Sequence, residues 1–144
     1  MHTEHLSNVS FASILIGWVI AVAVASLLVF LFTALGWMPT EDVPTVWAIV
    51  AVAVGFFAGG YLTGTRDIEA PILHGIGIGL TTLIAWFLVN ALATFFVDGS
   101  SYTGLSATAT AGLLLLQMVA AVLGLWIADR RALRGDDLPG ERLG

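Results

Sequence analysis

The chain has no cysteine and no lysine, and five arginines are its only strong bases. Without thiols there are no disulfides, no thiolate metal sites and no cysteine nucleophile. A net charge of −5 argues against a nucleic-acid partner. Charge of either sign is scarce, at 10% of residues where soluble domains carry about 25%. None of the ten acids or five arginines lies inside a long apolar stretch, so the ionisable relay that proton-coupled transporters keep within their spans is missing. His74 comes nearest, and is expected at a membrane interface, bonded to a carbonyl or a headgroup. His2, Glu4 and His5 are too few for a metal site. No second histidine or aspartate sits in a stretch to complete a serine triad. Gly75-x-Gly77-x-Gly79 follows no strand, as a nucleotide loop would require. No enzyme, metal or cofactor is therefore expected.

Apolar residues are abundant instead. They make up 58% of the chain, and mean hydropathy is +0.97. A domain this small cannot hide so much apolar surface from water. Four runs dominate, at about 11–35, 44–64, 71–97 and 106–128. Each reaches the roughly 20 residues needed to cross a hydrocarbon core of about 30 Å. Backbone groups in lipid must be paired within the segment, which makes the runs helices. Strands of a barrel would alternate, and Leu113–Leu116 does not. The expected architecture is an all-α, polytopic four-helix membrane bundle of two antiparallel hairpins. It comprises an N-terminal segment 1–10, a transmembrane domain 11–128 and a polar tail 129–144. The first run is far longer than a signal-peptide core and is expected to be retained.

Orientation follows from the arginines. Arg66 lies between runs two and three, and Arg130, Arg131, Arg134 and Arg142 follow run four. The loops at 36–43 and 98–105 carry only Glu41, Asp42 and Asp98. The positive-inside rule then places both termini in the cytoplasm, and the lack of lysine with an excess of acids suits a prokaryote, whose inner membrane is the expected location. The same arginines are candidate contacts for anionic headgroups. Trp18, Tyr61 and Trp126 fall near predicted inner ends, and Trp37, Trp47 and Tyr102 near outer ends, as interfacial aromatic residues do.

Helices in lipid associate by close packing of small residues. Candidate packing positions are Gly17, Ala21 and Ala25 in the first helix and Gly55, Gly59, Gly60 and Gly64 in the second. Gly75 and Gly79 serve the third, and Ala120, Gly124 and Ala128 the fourth. Antiparallel hairpins level Ala25 with Gly55, Ala21 with Gly59, and Gly79 with Gly124. They also level Trp86 with Gln117, and with Asn90 one turn away these three form a polar seam in which Gln117 is expected to accept from Trp86 or to share a water with it. Segments 12–17 and 70–75 are weakly similar, as are 60–66 and 124–130. A duplication would explain this, as would the small alphabet of membrane helices.

Ser10-Phe-Ala-Ser-Ile-Leu-Ile-Gly17, Gly59-Gly60-Tyr61 and His74-Gly75 together resemble a loose group of uncharacterised small prokaryotic four-helix membrane proteins. The resemblance covers residues 10–80 and implies the architecture alone. The expected function is non-catalytic: a structural or accessory subunit, packing in the bilayer against another membrane protein or its own copies. Gly60 and Gly64, as a second small row on the second helix, are expected to serve such an external contact. The alternative is a small channel or transporter using the seam between helices three and four.

Overall fold

The computed structural model of the chain describes residues 10–37, 45–66, 70–96 and 107–136. Four helices occupy them: α1 (Phe11–Ala34), α2 (Thr45–Gly64), α3 (Pro71–Phe96) and α4 (Ala107–Asp136). All four are long and apolar enough to cross a membrane. Their ends have local causes. Ser10 caps α1, its Oγ accepting from the Ser13 N–H at 3.4 Å. At the other end Gly36 takes φ +73°, the left-handed conformation glycine reaches without Cβ strain. Its N–H closes on the Thr33 carbonyl, and that of Trp37 on the Phe32 carbonyl. Pro71 opens α3, where its missing N–H costs nothing. α4 outruns the apolar stretch that ends at Ala128 and carries Asp129 to Asp136 as helix. Arginines suit this C-terminal end, because carbonyl dipoles there are negative.

The four helices form a ring in the order α1, α2, α4, α3. α1 and α3 run side by side in the same sense, with Ser10 by His74 and Trp18 by Thr82. Contacts between α1 and α2 run in opposite senses: Gly55 lies on Ala21 and Ala25, and Gly59 on Gly17 and Ala21. α2 and α4 cross where Gly60 meets the Ala121 backbone and Gly124 meets the backbone of Phe57 and Tyr61. Each glycine touches the residue three before the other (124 − 3 = 121, 60 − 3 = 57), so the crossing is locally two-fold. The similar segments 60–66 and 124–130 begin at these two glycines.

The core is built from small residues around a few large ones. Ala21, Ala121, Ile78 and Leu125 are wholly buried, and Ile14, Phe56 and Ala120 nearly so. Large apolar side chains point outward on every helix: Phe11 is 84% exposed, Phe30 72%, Leu27 66% and Phe87 66%. Only 22–33% of each span is buried by the rest of the protein. A soluble monomer rarely exposes such continuous apolar surface, whereas lipid solvates it.

The two halves of the bundle differ. Near the Arg66 end, glycines bring backbones into direct contact. Toward the other end, α3 and α4 part. Between Leu83 and Val89 every side chain but that of Ala85 is exposed. A Cβ built on Gly112 of α4 would meet none of the described residues within 4 Å.

Candidate functional site

Glycine placement in α4 decides the geometry of the α3–α4 seam. Gly124 is occupied by α2, so α3 packs instead on the α4 face that bears Met118 and Val122. Gly79 meets Met118, and Gly75 meets Val122. The expected pairing of Gly79 with Gly124 is therefore displaced by six residues (124 − 118), about 9 Å at 1.5 Å per residue. In the observed register Trp86 is level with position 111 (79 + 118 − 86), and Gln117 with position 80. Gly60 and Gly64 are likewise consumed inside the bundle, on Ala121 and on Leu125 and Ala128. They do not form the outward row expected of them.

Where the helices part, a cleft of about 90 Å³ opens between them. Thr82, Leu83 and Trp86 of α3 form one wall, and Thr110, Leu113, Leu114 and Gln117 of α4 the other. Residues 110, 113, 114 and 117 recur at helical spacing, so they present one face. The cleft is blind: at Gly79 and Gly75 the helices close to contact with Met118 and Val122. Gln117 is only 8% exposed, and its Oε1 is buried without a hydrogen-bond partner. The bond expected from the Trp86 indole is not formed, because the register shift separates the two residues along the axis. The side chain of Asn90 lies outside the described residues.

Trp18 bonds across helices: its Nε1–H donates to Thr82 Oγ1 at 3.0 Å. This polar contact sits beside the cleft and ties α1 to α3. The pattern of indoles gave no means of choosing Trp18 over Trp86, since their partners depend on which helices are neighbours.

A second polar contact lies near the Arg66 end. His74 is 1% exposed. Its Nε2 accepts from the Ser10 N–H at 3.0 Å, and its Nδ1 lies 2.8 Å from the Ala70 carbonyl oxygen. The amide can only donate and the carbonyl can only accept, which assigns the ring proton to Nδ1. The histidine thus satisfies an N–H that α1 leaves unpaired at its start. It was expected at an interface, bonded to a carbonyl or headgroup. The carbonyl bond is present, to Ala70, and the ring also links two helices by pairing with the α1 amide, buried from any headgroup. Ser10 and His74 belong to two separate sequence motifs, and only the side-by-side packing of α1 and α3 brings them together.

The arginines border aromatic rings. The Arg130 guanidinium lies 3.8 Å from the Trp126 ring centre, and Arg131 Nη1 donates to the Tyr61 hydroxyl at 3.2 Å. Arg66 is exposed, and the Arg134 side chain lies outside the described residues. At the opposite end Phe32, Trp37 and Trp47 cluster with centroids 5.1–5.7 Å apart. Among the described residues no three potential metal ligands gather. No protein family, curated protein or solved structure matches the chain.

Proposed function

We propose that the protein is a non-catalytic integral membrane subunit that packs against another membrane protein or against its own copies. In this reading α1 with α2 and α3 with α4 are two hairpins, and both termini face the cytoplasm of a prokaryotic inner membrane. The arginines and their aromatic neighbours would mark the inner leaflet, where anionic headgroups lie. The observation that carries the reading is Gly112. Every other helical glycine with described surroundings meets a neighbouring helix, whereas a Cβ at Gly112 would meet none of the described residues within 4 Å. Thr108, Gly112, Leu115 and Val119 recur at helical spacing and are all exposed. Glycine and threonine on such an exposed face let another helix approach closely, with Leu115 and Val119 beside them to pack against it.

The alternative, a channel or transporter using the α3–α4 seam, has the cleft in its favour. The contact of Gly79 with Met118 at the inner end of the cleft weighs against that route within a single chain.

Gentle extraction of the chain from native membranes tests the proposal. Co-migration in a stoichiometric complex or homo-oligomer, lost in Gly112→Leu with the monomer still folded, is the expected result. A monomer throughout refutes it. Solute flux in liposomes that disappears in Gln117→Leu would favour the alternative.

A further inference from the structure

The cleft lies on the face of α4 opposite Gly112. At 100° per residue, Gly112 sits about 200° round the helix from Thr110, so a helix docked at Gly112 would leave the cleft open. Its lips are formed by half-exposed Leu83, Trp86 and Leu113, and they open sideways toward lipid. Gln117 lies three residues from position 120, the centre of the Thr108–Ala132 span. That is about 4.5 Å along the axis, so the cleft reaches the middle of the bilayer.

A carboxamide at that depth needs partners, and a buried acceptor without a donor is costly. The terminal torsion of glutamine is broadly two-fold, so the amide can present either its oxygen or its nitrogen. Thr82, on the facing wall, accepts from Trp18 and retains its own O–H to give. The remaining walls are Leu83, Leu113, Leu114, the Trp86 indole and, toward the open end, Thr110. The complement of such a site is a group that both donates and accepts, carried on an apolar body. A hydroxyl does both, whereas an ether only accepts and an alkane does neither. Size narrows the class further. The cleft, at about 90 Å³, is smaller than the roughly 150 Å³ cavity that takes a benzene ring. It admits the end of a chain, with the remainder lying along exposed apolar residues of α3 such as Phe87.

We propose that the Gln117–Thr82 cleft binds the terminal hydroxyl of a long-chain aliphatic alcohol dissolved in the bilayer.

The test uses the full chain in lipid nanodiscs with a diazirine-bearing hexadecanol and its methyl ether. Photo-adducts are mapped by mass spectrometry. The alcohol should label Leu113 and Leu114 about tenfold more than the ether, as expected for one hydrogen bond made in a dry site. Unlabelled hexadecanol should compete and hexadecane should not. Gln117→Leu should lower alcohol labelling to the ether level, and Leu114→Trp, which fills the cleft, should abolish it. Equal labelling by alcohol and ether in the unmodified protein overturns the proposal, independently of how any variant folds. So does labelling no greater than at lipid-facing Leu123, which would leave the cleft to water alone.

Discussion

Replacing Gly60 by alanine tests whether backbone contact between α2 and α4 holds the bundle together. A Cβ built at Gly60 presses hardest on the Ala121 carbonyl oxygen and lies 2.9 Å from both the carbonyl carbon and Cα of that residue, so the separation worked from the carbons is a minimum. These are backbone atoms of a helix and cannot swing aside. Comfortable carbon–carbon contact is about 3.5–4.0 Å, so α2 and α4 must part by about 0.6–1.1 Å. Overpacking of this kind costs about 1–3 kcal/mol. The separation also loosens Gly64 against Leu125 and Gly124 against Tyr61, and a gap of about 0.5–1 Å forfeits a quarter to a half of each dispersion contact. Alanine returns at most about 1 kcal/mol through helix propensity. The net loss is about 1–2 kcal/mol, roughly a 5- to 30-fold fall in the folded-to-unfolded ratio. Gly112→Ala is the internal control. A Cβ at Gly112 would meet none of the described residues within 4 Å, so in the monomer the same change there should be neutral or stabilise by up to about 1 kcal/mol. Reversible unfolding in bicelles, followed by tryptophan fluorescence, measures both. Equal effects at the two positions would refute the view that steric contact at the crossing sets stability.

Removing the Trp18–Thr82 bond by Trp18→Phe and Thr82→Val should give a coupling energy of about 0.6 kcal/mol in a double-mutant cycle, and zero coupling would mean the bond contributes nothing. His74→Phe leaves the Ser10 N–H without its acceptor and should cost about 1–3 kcal/mol. Hydrogen exchange should quicken in the first turn of α1 before it changes at Leu125, and uniform quickening would place the histidine's role elsewhere. Gln117→Leu removes a buried oxygen that has no partner, so the ligand-free protein should keep its stability or gain about 1 kcal/mol; a loss above that would show the amide to be satisfied. Because the chain has no cysteine, Thr40→Cys and Thr65→Cys report orientation singly. An impermeant maleimide should label the first and spare the second in intact cells, and the reverse pattern would invert the proposed topology.

Much of this architecture is legible without coordinates because lipid imposes strict demands on composition. Spans need about 20 apolar residues and internal pairing of every backbone group. Four runs of the required length, with turn residues such as Gly36 and Pro71 beside them, therefore specify four helices. The local identity of packing residues is also visible, since glycine and alanine at helical spacing mark faces that come close. What a one-dimensional pattern lacks is the choice of neighbour. Gly124 suits α3 as well as α2 by composition, and only the ring order α1, α2, α4, α3 assigns it to α2. That assignment shifts the α3–α4 register, opens the cleft at Gln117 and turns Gly60 and Gly64 inward. It also brings Ser10 to His74 and Trp18 to Thr82, each pair 64 residues apart. Hydrophobic length is a property of each segment alone, so the sequence by itself determines it. Partnership among four faces of similar composition depends on how all four pack at once, and that was decided only in three dimensions.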